Sequence, residues 1–115
     1  GKLLSIQNMM TEEVAFKSID FLRDHSKDSH EVTITFYGGE PLLNFELIKK
    51  CVKYANQKFK SKRIKYNTTT NASLLTNEII DFFYENNFSL LISLDGDKNV
   101  QNRHRKFQHY LYQYV

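Results

Sequence analysis

Apolar residues recur along this chain at two spacings, and the switches between them mark its elements. Behind Thr11-Glu12-Glu13, the residues Val14, Ala15, Ile19 and Leu22 fall on one helical face. A hydroxyl that can accept from a free N–H, with two acids in the first turn, is the chemistry of a helix start. The pattern predicts a helix to Asp24, then a polar turn from His25 to His30. From Glu31 to Tyr37 the spacing becomes two, with Val32, Ile34 and Phe36 on one side and Thr33, Thr35 and Tyr37 on the other. That alternation is a strand. After Pro41, the residues Leu47, Ile48, Cys51, Val52, Ala55 and Phe59 draw one apolar stripe along a second helix. Ile64 to Thr70 predicts a second strand. Thr76 caps a third helix, with Leu75 and Ile80 placed as a hydrophobic staple, and the helix runs through Phe83 to Asn86-Asn87. Ser89 to Asp95 predicts a third strand, closed by Gly96.

The predicted order is α-β-α-β-α-β. Helix-length crossovers join strands in parallel and with right-handed connections. Strand parity then separates two faces. Val32, Ile34, Phe36, Ile64, Tyr66, Leu90, Ile92 and Leu94 make an apolar one that suits a cover of helices. Thr33, Thr35, Tyr37, Asn67, Thr69, Asn71, Leu91, Ser93 and Asp95 make the other. A doubly wound sheet and a filled barrel lumen are apolar on both faces, and this second face is too polar for either. The fold class read here is α/β, with parallel strands and crossover helices forming part of an open barrel whose polar wall meets a ligand.

Composition narrows the function classes. The chain has 115 residues, 41% hydrophobic, with nine Phe and seven Tyr, so it can bury a core and is not disordered. No apolar run approaches the roughly 20 residues of a membrane span, and the start at Gly1 lacks the pattern of a secretion signal. Cys51 is the single cysteine, which excludes an internal disulfide and leaves an intracellular, cytoplasmic location as the expectation. Lying within the second helix's stripe, it reads as a small buried hydrophobe. The net charge of +3 is mild. Its densest run, Lys58, Lys60, Lys62, Arg63 and Lys65, sits at a helix end and reads as solvated rather than as a nucleic-acid patch.

Four segments carry candidate chemistry. Phe36-Tyr37-Gly38-Gly39-Glu40-Pro41-Leu42-Leu43 joins a strand to a helix. Two glycines let a backbone approach a ligand, and proline fixes the exit angle. The bland alternative is a turn in which glycines relieve strain and Glu40 is solvated. With Glu-Pro following at the end of a polar-faced strand, a ligand-contacting turn whose backbone N–H and C=O groups meet an ammonium or carboxylate is the better reading. Asn71 ends the second strand on the polar face, where a lone asparagine is ordinarily a turn former. Ser93 and Asp95, before Gly96, share that parity, so three strand ends agree. Arg103-His104-Arg105-Lys106 could hold an anion, with a solvated helix face as its default. His25, His30, His104 and His109 have no partners at metal-ligand spacing, and no residue is assigned to a metal.

These segments together resemble the core of radical S-adenosylmethionine enzymes, and within it the branch of anaerobic sulfatase-maturating enzymes and SPASM-type peptide maturases. The resemblance is carried by Met10-Thr11-Glu12-Glu13-Val14, Gly38-Gly39-Glu40-Pro41-Leu42-Leu43, Thr69-Thr70-Asn71-Ala72-Ser73-Leu74-Leu75 and Ile92-Ser93-Leu94-Asp95-Gly96 with Arg103. It covers about residues 9–107, leaving 1–8 as a tag or disordered start and 108–115 as an atypical, tyrosine-rich tail. It implies a partial (β/α)6 TIM-like barrel of which the chain holds roughly the second to fourth strands. It further implies that Gly38, Gly39, Glu40 and Pro41 bind the amino group of the methionine part of S-adenosylmethionine, that Ser93 contacts the same cofactor, and that Asn71 and Asp95 line its cavity.

The implied activity is formation of a 5′-deoxyadenosyl radical that modifies a peptide or protein. The family holds its [4Fe–4S] cluster through C-x-x-x-C-x-x-C before the helix that starts here at Thr11, where Gly1 to Asn8 supply no thiolate. The expectation is a segment of a longer enzyme, inactive alone, unable to bind the cluster and weak for S-adenosylmethionine. The alternative is a non-catalytic binding domain that self-associates through exposed strand edges. An ordinary nucleotide-binding enzyme is disfavoured, since neither G-x-G-x-x-G nor G-x-x-x-x-G-K-S/T occurs. Neither nucleic acid nor membrane is an expected partner.

Overall fold

Four parallel strands stand in chain order, β1 (Lys2–Gln7), β2 (Glu31–Tyr37), β3 (Arg63–Thr70) and β4 (Phe88–Ile92). Helices α1 (Glu12–Asp24), α2 (Phe45–Lys58) and α3 (Asn77–Glu85) make the crossovers. The structure is a computed structural model that describes residues 2–93. The predicted Leu94, Asp95 and Gly96, the basic run at Arg103 and the tail 108–115 lie outside the described residues.

The order β1-β2-β3-β4 decides the architecture. A doubly wound sheet reverses direction part-way and sends helices to both faces. Strands laid down in sequence, with crossovers of one hand, carry every helix to one face and curl towards a barrel. The register agrees with the parity argument. Val32 pairs with Ile64, Ile34 with Tyr66, Phe36 with Thr68, and Thr70 with Ile92. On this face Val32 and Ile34 are fully buried, against Ala15 and Ile19 from α1 and Leu47, Ile48, Cys51 and Val52 from α2 in one core. Each such aliphatic side chain contributes roughly 1.5–3 kcal/mol of burial. Phe88 stacks on Tyr66 at 5.1 Å and meets Phe83 at 4.6 Å, which seats α3. Among the described residues nothing covers the opposite face, where Leu3 is 67%, Tyr37 46% and Leu91 70% exposed.

The sequence reading is corrected at the start of the chain. Residues 2–7 are not a disordered start but form strand β1, paired with β2 from Lys2–Val32 to Gln7–Tyr37. Ile6 is fully buried, and its side chain gives this edge strand its register. The observed order therefore begins β-α rather than α-β.

Helix starts follow their caps. The hydroxyl of Thr11 accepts from Val14 N–H at 3.2 Å and that of Thr76 from Ile79 N–H at 3.2 Å. After Pro41 the chain first makes a 3-10 turn, Pro41–Asn44, before α2 begins at Phe45 with the side chain of Asn44 as its cap. The basic run is only partly solvated: Lys62 Nζ donates to Ser26 O at 2.5 Å and Ser29 O at 2.6 Å, satisfying carbonyls beyond the end of α1. None of the described helices is long and apolar enough to cross a membrane.

Candidate functional site

At the carboxyl end of β2 the chain turns through Gly38 and Gly39 into the 3-10 turn. Gly38 has φ +141°, a conformation that side chains rarely adopt. A Cβ added there would run into the amide of Asn8, with Asn8 Cγ only 2.5 Å away. Gly39 differs, for a Cβ there would meet nothing within 4 Å. Both glycines are exposed. Among the described residues, no hydrogen bond engages the backbone N–H or C=O of either one. Two adjacent peptide units thus stand uncommitted at the open end of the sheet.

Glu40 behaves otherwise than the bland sequence reading held. It is buried, not solvated. Its Oε2 accepts from Leu42 N–H at 3.0 Å, its Oε1 from Asn71 N–H at 2.8 Å, and the hydroxyl of Thr70 lies within 3.1 Å of Oε1 and 2.9 Å of Oε2. The carboxylate therefore caps the 3-10 turn and ties it to the end of β3. Pro41 is buried at the first position of that turn, where its missing N–H costs nothing.

Asn71 follows β3. Its side-chain oxygen accepts from Ser73 N–H at 2.8 Å and the Ser73 hydroxyl at 2.6 Å, which turns the chain, and Ala72 takes φ +70° beyond it. Ser93 is exposed after β4, and its N–H donates to Thr70 O at 3.0 Å. Gly38, Gly39, Glu40, Pro41, Asn71 and Ser93 thus come to one end of the sheet, while Asp95 lies outside the described residues.

Sequence reasoning missed Asn8 and Thr70. Thr70 carried a readable signal, because its parity puts a hydroxyl on the apolar face with Tyr66. Thr68 and Thr70 are each only 2% exposed there, and Thr68 Oγ1 donates to Phe36 O at 3.1 Å. Asn8 carried none.

The described residues do not furnish a cluster site. No group of three His, Cys, Asp or Glu that could hold a metal ion occurs among them. Cys51 lies in the core of α2, with its thiol pushed up to about 12, chiefly by burial and further by the charge of Glu12. A concavity of about 640 Å³, lined by Thr33, Arg63, Lys65, Asn67 and Ser89 among others, opens on the polar face near the opposite, amino-terminal end of the strands.

Comparison with known proteins agrees with this architecture. A family profile described as the Radical SAM superfamily matches residues 5–115, which includes the end of β1 and reaches past the span 9–107 read from the motifs. An uncharacterized protein of Methanocaldococcus jannaschii is 38% identical over 87 residues, covering 76% of this chain and 29% of that protein. The serine-type anaerobic sulfatase-maturating enzyme of Bacteroides thetaiotaomicron is 31% identical, covering 87% of this chain and 24% of the enzyme. The cysteine-type enzyme of Clostridium novyi is 30% identical, covering 72% and 23%. The chain thus spans about a quarter of the length of these curated relatives. Among solved structures, native anSMEcpe with bound AdoMet and Cp18Cys peptide superposes with a TM-score of 0.80, covering 98% of this chain and 40% of that one. At 18% identity that likeness is one of fold.

Proposed function

Since this chain belongs to the radical SAM superfamily, we propose that the Gly38–Gly39 turn receives the methionine part of S-adenosylmethionine. The observation that carries this reading is the pair of uncommitted peptide units at the open carboxyl end of the sheet. An ammonium needs acceptors and a carboxylate needs donors, and a glycine backbone offers both without a Cβ in the way. Gly39 meets the ligand most closely. Gly38 shapes the turn, and Glu40 and Pro41 act through the backbone they hold. Asn71 offers its Nδ2 and Ser93 its hydroxyl, and Asp95, outside the described residues, belongs to the same proposed set.

The cofactor, held beside a reduced [4Fe–4S] cluster, would supply a 5′-deoxyadenosyl radical for hydrogen abstraction. The cluster's ligands belong to sequence other than the residues described, so this chain alone is inactive and its role is to bind and orient. Relatives named for sulfatase maturation, and a solved neighbour holding a peptide, support a peptide or protein as substrate of a longer protein, for which a cytoplasmic location is part of the same proposal. The gene sequence upstream of Gly1 tests this. A C-x-x-x-C-x-x-C there supports the enzyme, and a start codon immediately before Gly1 overturns it. Calorimetric titration of the chain with S-adenosylmethionine should give weak binding, because cluster ligation normally shares the methionine group.

The second reading is a self-associating binding domain. It is favoured by the exposed Leu3 and Leu91 on the uncovered face and by β1 and β4 as the outer strands of the sheet. Sedimentation equilibrium distinguishes it: a monomer at micromolar concentration removes this alternative.

A further inference from the structure

Asn8, just past β1, makes side-chain and carbonyl contacts beyond the strand pairing that brings it to the turn. We propose that Asn8 is a positioning residue, which holds the Gly38–Gly39 turn in the shape that presents its backbone to the ligand. The ligand part of this inference rests on the proposed function above; the bracing part does not.

The geometry surrounds the turn on three sides. Asn8 N–H donates to Tyr37 O at 2.8 Å, fixing the residue that enters the turn. Its Nδ2 donates to Glu40 O at 3.2 Å, fixing the residue that leaves it. Its own carbonyl accepts from Asn44 Nδ2 at 2.9 Å, which ties in the cap of α2. The amide group lies in the space that a side chain at position 38 would fill, so Gly38 is the socket and Asn8 the plug.

One atom argues that this arrangement serves more than stability. Among the described residues, Asn8 Oδ1 is buried without a hydrogen-bond partner. An orphaned buried acceptor carries a desolvation cost that the side chain would recover by turning to water. Exchanging the amide oxygen and nitrogen does not help, since an oxygen would then face Glu40 O. A buried unpaired group retained beside a glycine turn marks a local constraint maintained against its own cost. The constraint here is the conformation of Gly38 and Gly39, whose peptide groups would otherwise sample many orientations.

The test combines Asn8→Ala, Gly38→Ala and the double variant with amide hydrogen exchange on the chain as it stands. Asn8→Ala should speed exchange at Leu42 and Asn71, the two N–H groups held by the Glu40 carboxylate, by about tenfold, with core amides such as Ile34 within about twofold. Gly38→Ala should lower the folding equilibrium constant about tenfold more in the parent than in the Asn8→Ala background. Folding of Gly38→Ala only beside Asn8→Ala is the extreme form of the same result. If Gly38→Ala fails in both backgrounds, the exchange pattern of Asn8→Ala decides alone. Additive effects, or uniform acceleration across the core, overturn the bracing role.

In 15N-glycine spectra, the initial slope of the Gly39 shift with added S-adenosylmethionine should fall about fivefold in Asn8→Ala, as lost preorganisation requires. An unchanged slope overturns the positioning role. Absence of any shift in the parent overturns the ligand reading instead, while the exchange and coupling results still judge the brace.

Discussion

Replacing Glu40 by glutamine separates a ligand contact from a structural tie, because the structure assigns every bond of the carboxylate to the protein itself. Two backbone N–H groups, of Leu42 and Asn71, each point at a different carboxylate oxygen, and the Thr70 hydroxyl lies between. Glutamine keeps one oxygen and sets an NH2 group where the other stood. The Thr70 hydroxyl can rotate to suit either, but one backbone N–H is then left facing a donor. An unsatisfied buried donor costs roughly 1–3 kcal/mol, and the surviving bonds lose their charge assistance. Relief from burying a charge offsets part of this, so the expected loss for Glu40→Gln is about 2 kcal/mol. Alanine strands both donors and should cost about 4 kcal/mol on the same scale. Equilibrium urea unfolding reads this directly, as a midpoint lowered by about 1–2 M for Glu40→Gln with the slope unchanged. A Glu40→Gln midpoint matching the parent within error would refute the reasoning and return the side chain to the ligand.

Three further outcomes follow from the same geometry. Gly39→Ala should stay within about 1 kcal/mol of the parent, since its methyl meets open space, whereas Gly38→Ala should lose at least about 2 kcal/mol through its positive φ and the Asn8 amide; thermal unfolding of the pair checks the contrast. Cys51 should resist iodoacetamide at pH 8 in the folded chain and react fully in urea, because the thiol is buried and held up to about 12. Stability should fall as pH rises above about 9. Burial raises the proton affinity of both Cys51 and Tyr66 in the folded state, so the unfolded chain releases these protons first and is favoured, by at most ~1.4 kcal/mol per pH unit for each group. Urea midpoints across this range should flatten in Cys51→Ala and Tyr66→Phe.

What could be read in the sequence was what depends on near neighbours. Thr11 and Thr76 announce their helices because the N–H groups they accept from lie three residues on. The strand faces were legible because parity is a local property, and the parallel register of β2 with β3 preserves it. Strand β1 was missed because its signal is faint: Leu4 and Ile6 alternate over only a few residues, and what holds them is pairing with β2, about thirty positions away. Glu40 shows the same limit more sharply. Nothing beside it in sequence foretells that Thr70 and Asn71 will close over its carboxylate. The glycine pair was legible as a turn, whereas the different duties of Gly38 and Gly39 depend on Asn8, which only the fold brings near.

Titration of 15N-glycine-labelled chain with S-adenosylmethionine reports on the turn itself, for the chain has four glycines and two of them form the turn. Binding with a dissociation constant on the order of millimolar is detectable this way. A turn that receives the methionine part should give progressive, saturable shifts of the Gly38 and Gly39 amides, larger than those produced by adenosine alone. Unmoved Gly38 and Gly39 resonances at tens of millimolar cofactor would contradict it.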